Sequence, residues 1–69
     1  MMTKTNISRK LLIEIKLSDQ PQYRIAQKAG IHPNLLSKLI HNAVPIRPDD
    51  ERVVRVGEVL GLSPEEVFA

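Results

Sequence analysis

Apolar residues recur along this chain at intervals of three or four, the spacing that places side chains on one face of a helix. The first block contains Ile7, Leu11, Leu12 and Ile15. Asn6 or Ser8 can serve as the N-cap, because a short polar side chain there accepts an unpaired amide hydrogen of the first turn. No segment alternates between apolar and polar residues over the length of a strand. The pattern therefore predicts helices throughout.

A second helix is predicted from residue 19 or 20 to residue 29. Its inward residues are expected to be Ile25, Ala26 and Ala29. Asp19 and Gln22 have the spacing of a capping box, although Pro21 leaves the first helical residue open. Gly30 follows at a position suited to the left-handed backbone that ends many helices.

A third helix is predicted to begin at Pro33, because proline lacks an N–H that would have no partner in a first turn. Its inward stripe consists of Leu35, Leu36, Leu39 and Ile40. Its opposite side is polar and consists of Asn34, Ser37, Lys38 and His41. This segment is thus an amphipathic helix with an outward polar face.

Residues 42–48 contain two prolines and predict an ordered loop. A fourth helix is expected from about Pro48 to Leu60, ended by Gly61. Its first turn would hold three acids, which suit the positive end of the helix dipole: Asp49, Asp50 and Glu51.

The segment Ser63–Glu66 has the sequence of a capping box with proline at the first helical position. Leu62 and Val67 stand where a hydrophobic staple requires them. A short fifth helix containing Val67 and Phe68 is therefore predicted. The expected fold class is all-α, a compact bundle of five helices that forms one domain over residues 1–69.

Composition narrows the function classes. The 69 residues include no cysteine, and two histidines alone cannot close a structural zinc site. The chain has no apolar run long enough for a bilayer and no signal-peptide core, so a cytoplasmic protein without a membrane span is expected. It shows no nucleophile with a partnering base, no glycine-rich phosphate loop and too little chain to enclose a substrate. We therefore expect neither enzymatic activity, nor a cofactor, nor a metal.

Charge is distributed unevenly along the chain. Residues 1–48 hold eight basic and two acidic side chains, whereas residues 49–69 hold two basic and six acidic ones. A basic body with an acidic end suits a polyanionic partner on one side. An ordinary solvated surface can be equally lopsided, so the charge pattern alone decides little.

The spacing around Gly30 predicts two helices joined by a tight turn, over about residues 21–41. Glycine can adopt the positive φ that such a turn needs, and Ala26 is small enough for the next helix to cross closely. Leu36 and Leu39 would pack back against the preceding helix. The polar side of the third helix would then face outward, where a major groove about 12 Å wide admits a helix. The alternative is an ordinary helical corner with no role in nucleic-acid binding.

In three stretches the chain resembles the phage-repressor or Cro-like helix-turn-helix family, also called XRE. These stretches are Gln22–Ile31, Leu36–Leu39 and Leu60–Phe68. The resemblance covers roughly residues 7–69 and implies a lambda-repressor-like bundle of five helices. It also implies a transcriptional regulator, expected to be a repressor, whose partner is double-stranded DNA.

The resemblance implies two sets of contact residues. Those facing base edges would be Pro33, Asn34, Ser37 and Lys38. Those contacting the DNA backbone would be Gln22, His32, His41, Asn42 and Arg47. Asn34 can pair with adenine through two hydrogen bonds, and Lys38 can donate to guanine or to a phosphate. His32, at the expected N-cap of the third helix, can cap it, contact a phosphate, or do both.

The chain departs from the family in two places. Relatives often pair a buried arginine with a glutamate where this chain has Ile15 and Ile40, a replacement that costs little stability. Residues 42–47 contain fewer glycines and cations than the corresponding loop of many relatives. If the loop makes fewer bonds to phosphates, the salt dependence of binding falls by a slope of about 0.9 for each of them.

A protein-interaction module of the same fold, antitoxin-like or an adaptor, is the alternative function. Its surface would comprise the acidic segment after Asp49 and three apolar residues expected to be exposed: Val44, Ile46 and Phe68. Under the DNA-binding hypothesis a homodimer is expected, because one short helix contacts too few base pairs for selectivity. The fifth helix, with Val67 and Phe68, is the predicted dimer surface.

Overall fold

A computed structural model describes residues 6–69 of the chain. Five helices run in the order α1 Arg9–Leu17, α2 Gln22–Ala29, α3 Pro33–Ile40, α4 Glu51–Val59 and α5 Pro64–Val67. The described part of the chain contains no strand, and its only β feature is an antiparallel bridge between Ile7 and Phe68. The all-α fold with five helices is confirmed.

Helix starts follow the sequence signals at three of the five helices. Ser8 is the N-cap of α1, and its hydroxyl accepts the Leu11 N–H at 3.1 Å. Proline occupies the first position of α3 and of α5, as predicted. In α5, the Glu66 carboxylate accepts the Ser63 N–H at 3.0 Å, which is the back-bond of the predicted capping box.

The predicted start of α2 is wrong. The helix begins at Gln22, and Pro21 is its N-cap, with an extended backbone (ψ 155°) and no side-chain cap. A residue before proline is disfavoured in helical conformation, so Gln20 cannot begin a helix that continues through Pro21. The Gln20 N–H instead donates to the Ser18 hydroxyl at 3.1 Å.

The predicted start of α4 is also wrong, since the helix begins at Glu51 rather than near Pro48. Asp49 has a left-handed backbone (φ 59°), which no helical turn tolerates. Asp50 is the N-cap, and its carboxylate accepts the Arg52 N–H at 3.1 Å. Of the three acids expected in the first turn, only Glu51 lies there.

Gly30 adopts the predicted left-handed backbone, with φ of 74°, and Gly61 after α4 has a similar φ of 78°. After α2, the Gly30 N–H donates to the Gln27 carbonyl, and the Ile31 N–H donates to the Ala26 carbonyl at 3.0 Å. These bonds satisfy carbonyls that the helix end leaves unpaired. The turn thereby sets the direction in which α3 leaves α2.

One apolar core joins all five helices and the loop before α4. It consists of Ile7, Leu11, Ile15, Ile25, Ala26, Ala29, Leu36, Leu39, Ile46, Val53, Val56, Leu62 and Val67. Helix α2 packs against both α3 and α4, and α5 packs against α4 and α1. The predicted inward residues Leu35 and Ile40 are only partly buried at the edge of this core.

At Gly57, the backbone of α4 lies close to the Val67 side chain of α5. A Cβ at this position would overlap Val67 Cγ1 and would lie 3.7 Å from the Leu62 Cβ. The two residues of the predicted hydrophobic staple therefore pack around Gly57, and both are buried. A glycine inside a helix usually costs stability, and here it permits the contact between the helices.

Backbone hydrogen bonds join the segment before α1 to α5 and the residues after it. The Ser8 N–H donates to the Val67 carbonyl at 2.8 Å, and the Ala69 N–H donates to the Asn6 carbonyl at 2.9 Å. An ion pair between Lys10 and Glu66 lies beside them. Lys10, followed by the Ser63 N–H and hydroxyl, lowers the pKa of Glu66 to about 2.

Candidate nucleic-acid interface

Three polar side chains form a line along the outer face of α3. Asn34, Lys38 and His41 are all exposed and follow one another at helical spacings. Leu36 and Leu39, at 1 % and 2 % exposure, point into the core from the opposite side. Among the other residues predicted to face bases, Ser37 and Pro33 are half-buried at the border of this face. We call Asn34, Lys38 and His41 the outer face of α3.

His32 caps the start of α3. Its Nδ1 accepts the Asn34 N–H at 3.1 Å, and the ring is exposed. An accepting nitrogen carries no hydrogen, so the neutral ring holds its hydrogen on Nε2. Capping thus leaves an N–H donor available for a phosphate.

His41 makes the opposite kind of bond at the end of α3. Its Nδ1 lies 2.8 Å from the Ser37 carbonyl oxygen. Because a carbonyl only accepts, Nδ1 must carry the hydrogen. Asn42 follows with a left-handed backbone (φ 55°) and ends the helix.

The other predicted backbone-contact residues lie at element ends, on the surface. Gln22 is the first residue of α2 and is exposed, as are Asn42 and Arg47 in the loop after α3. The structure therefore leaves every predicted contact residue at least partly accessible to a partner.

An ion pair whose carboxylate is buried fixes the loop between α3 and α4, and no sequence motif indicated it. The Asp50 side chain is only 1 % exposed and pairs with Arg52 at 2.6 Å. Arg52 also donates to the Pro45 carbonyl at 3.1 Å, and the Arg47 N–H donates to Asp50 Oδ2 at 3.4 Å. The position of Arg47 is thus set by a network anchored in the interior.

The Arg52 side chain is the main cause of a low pKa at Asp50. Its hydrogen bonds lower the pKa of the carboxyl from 3.8 to about 2, against the opposing effect of burial. The same bonds raise the pKa of Arg52. Asp50 is therefore a stable anion throughout the neutral range.

The segment from Gln20 to Pro48, which contains α3, carries no acid. Its cations are Arg24, Lys28, Lys38 and Arg47. Three of the carboxylates outside this segment are paired with cations, in the pairs Lys10–Glu66, Arg52–Asp50 and Arg55–Glu51. Within this segment a phosphate would therefore meet cations and no carboxylate.

Ile15 and Ile40, at the positions where the resemblance leads one to look for a charged pair, border one small apolar space in the core together with Leu11 and Val53. Both positions face the interior side of the bundle, where an unpaired charge would be costly. The apolar pair is therefore consistent with the packing observed.

Three large apolar or aromatic side chains among residues 6–69 are exposed on the surface. Ile13 is 45 % exposed, Leu17 is 73 % exposed and Tyr23 is 52 % exposed. Ile13 and Leu17 are four residues apart on α1, opposite the buried Leu11 and Ile15. This outer stripe was not predicted, although the four-residue spacing is visible in the sequence.

The structure differs from the surface predicted for a protein partner. Ile46 is buried, which contradicts its predicted exposure, because the loop folds back onto the core. Val44 and Phe68 are partly buried. Val67 is fully buried and cannot contribute to a dimer surface, which corrects that part of the prediction.

The chain matches no protein-family model, no curated protein and no solved structure. Within residues 6–69, no three side chains of the metal-binding types come together. None of the helices described is both long and apolar enough to cross a membrane.

Proposed function

We propose that this chain is a sequence-specific DNA-binding transcriptional regulator, a repressor of the Cro-like type acting in the cytoplasm. The observation that supports this function best is the outer face of α3. Its polar side chains face solvent opposite Leu36 and Leu39, in a segment without acids. A helix with its side chains is about 10–12 Å in diameter, and a major groove about 12 Å wide admits it.

The outer face of α3 offers the hydrogen-bonding groups that base edges recognise. Asn34 can donate to and accept from adenine at once, and Lys38 can donate to the two acceptors of guanine. Ser37 and Pro33 border the same face and would make the weaker contacts, a hydroxyl hydrogen bond and an apolar contact to a thymine methyl. Base selectivity would therefore depend mainly on Asn34 and Lys38.

Phosphate contacts would position the helix without reading sequence. Gln22 at the start of α2, His32 at the start of α3, and Arg47 in the anchored loop offer donors within the segment that carries no acid. Asn42 adds a donor beyond the end of α3, and His41 adds one when its ring is doubly protonated. We propose a homodimer, because two copies would recognise half-sites about 34 Å apart.

Selection of bound sequences from random duplexes tests this function directly. We expect the chain to enrich one sequence family and to bind it far more tightly than random duplex at moderate salt. Asn34→Ala and Lys38→Ala should each weaken that binding by about 1–3 kcal/mol. Lys16→Ala, which removes the same charge from an exposed position on α1, is the matched control and should have a small effect.

The second candidate is a protein-interaction module, and exposed Ile13 and Leu17 are the observation that favours it. In that case selected duplexes would bind no better than random ones, and a protein partner would bind tightly. Leu17→Ser should then abolish partner binding while Lys38→Ala leaves it intact. Under the DNA-binding hypothesis, Lys38→Ala should weaken duplex binding and Leu17→Ser should leave it intact.

A further inference from the structure

We propose that His41 contacts a DNA phosphate only when its ring is doubly protonated, so that duplex binding takes up a proton. This inference rests on the proposed function and concerns the regulation of the same site. It follows from the 2.8 Å hydrogen bond between His41 Nδ1 and the Ser37 carbonyl. The bond commits one ring nitrogen and thereby decides what the other can do.

In the neutral ring, the hydrogen of His41 is used on Nδ1. Nε2 is then a bare acceptor, and an acceptor repels the oxygens of a phosphate. When Nε2 is protonated, the ring gains both a donor and a positive charge, and a charge-assisted hydrogen bond to phosphate becomes available. His41 therefore binds phosphate in one protonation state and opposes it in the other.

His32 behaves in the opposite way. Its Nδ1 accepts the Asn34 N–H, so the neutral ring already holds an outward donor on Nε2. Protonation of Nδ1 would remove the acceptor and break the cap of α3. Acid thus strengthens the contact at one end of α3 and weakens the cap at the other.

His41 takes part in no ion pair within residues 6–69. No carboxylate in the described part of the chain lies within 4.0 Å of either histidine. The end of α3 carries the negative end of its helix dipole, which favours a cation there. The other charged groups on α3 and on the loop after it are Lys38, Arg47, Asp49 and Asp50. The charged and titratable groups on the neighbouring helices are Tyr23, Arg24 and Lys28 on α2, and Glu51, Arg52, Arg55 and Glu58 on α4. Those on α1 are Arg9, Lys10, Glu14 and Lys16. Histidine is the side chain that ordinarily changes charge between about pH 5 and 8.

The test uses a duplex selected by the wild-type chain, at constant ionic strength, at pH 5.5 and pH 8.0. The background is His32→Asn, because asparagine caps a helix as well as any residue and does not titrate. We expect the His32→Asn variant to bind the duplex about tenfold more tightly at pH 5.5 than at pH 8.0, which is the effect of one charge-assisted hydrogen bond. Adding His41→Lys, whose charge is constant over this range, should leave affinity equal within about twofold at the two pH values.

A second measurement does not need DNA. The nitrogen-15 shifts of the imidazole rings report which nitrogen carries the hydrogen. We expect the neutral His41 ring to hold it on Nδ1 and the neutral His32 ring to hold it on Nε2. Circular dichroism at both pH values checks that each variant is folded.

The outcomes separate this inference from the proposed function. If the chain selects no duplex, the proposed function fails, and the proton linkage fails with it. If the His32→Asn chain binds the selected duplex equally at both pH values, the linkage alone is overturned. The linkage is also overturned if affinity still falls between pH 5.5 and pH 8.0 when His41→Lys is added. It is overturned as well if the neutral His41 ring holds its hydrogen on Nε2.

Discussion

Replacing Asp50 by asparagine removes one negative charge from the interior and keeps the shape of the side chain. The carboxylate is the N-cap of α4 and the anchor of the loop before it, and its side chain is 1 % exposed. An amide can still accept the Arg52 N–H, but its nitrogen cannot accept from the guanidinium. We therefore expect Asp50→Asn to destabilise the fold and to loosen the loop that carries Arg47.

The magnitude follows from the pKa of Asp50. A shift from 3.8 to about 2 corresponds to about 2 kcal/mol, since each pH unit is about 1.4 kcal/mol. Asparagine caps a helix about as well as aspartate, so the cap adds little to this loss. A chain of this size has a total stability of about 3–10 kcal/mol. The melting temperature should therefore fall by about 8–16 °C.

Urea unfolding followed by circular dichroism measures the loss. Glu51→Gln is the matched control, because it removes the same charge from the next residue, where the side chain is 84 % exposed and its partner Arg55 lies 3.7 Å away. An exposed pair of this kind contributes about 0.5 kcal/mol or less. A loss at Asp50 no larger than that of the control would refute the assignment of a stabilising buried pair.

The pH dependence gives an independent check. Because the pKa of Asp50 is lowered on folding, its contribution is complete above pH 3.8 and is lost as the pH falls through about 2. The difference in stability between wild type and Asp50→Asn should therefore shrink between about pH 4 and pH 2. Glu66 titrates in the same range, but it is present in both proteins and cancels. A difference that stays constant with acid would contradict the mechanism.

Three further substitutions probe other sites. Gly57→Ala should destabilise the fold by about 1–3 kcal/mol in urea titrations, because the new methyl overlaps the buried Val67, although alanine usually favours a helix. Adding Val67→Ala should recover part of the loss. A Gly57→Ala variant more stable than the wild type would contradict the packing. In NMR titrations, Lys10→Ala should raise the pKa of Glu66 from about 2 towards 4.5, since Lys10 is the largest cause of its depression; an unchanged midpoint would assign that effect to Ser63 instead. Arg47→Ala should weaken binding of selected and random duplexes equally and reduce the salt slope by about 0.9, whereas a loss confined to the selected duplex would show that Arg47 contacts a base.

The sequence predicted those parts of the fold that local chemistry decides. Gly30 adopts the expected left-handed backbone, Gly61 follows the end of α4, Pro33 begins α3, and the Glu66 side chain closes back on Ser63. Each of these signals involves residues within four positions of one another. The amphipathic pattern of α3 likewise sufficed to predict which of its sides faces outward.

The errors arose where one local signal outweighed another or where distant residues meet. At α2 the restriction imposed by Pro21 overrides the Asp19–Gln22 spacing. At α4 the left-handed Asp49 delays the helix start. The burial of Ile46 depends on how the loop folds back over the core, which no local pattern specifies. The Asp50–Arg52 pair could not be predicted from the local sequence either. Two charges at this spacing could equally well both be exposed on the surface.

The hydrogen bonds between the segment before α1 and α5 have a consequence for how the molecule opens. The Ser8–Val67 and Ala69–Asn6 bonds join residues about sixty positions apart, and they are supported by an exposed ion pair. Helix α2, by contrast, is held on two sides by α3 and α4. Local opening should begin where the segment before α1 pairs with α5 and the residues after it. Amide hydrogens at Ser8 and Ala69 should then exchange with solvent well before those of α2, while the turn at Gly30 keeps α3 in place.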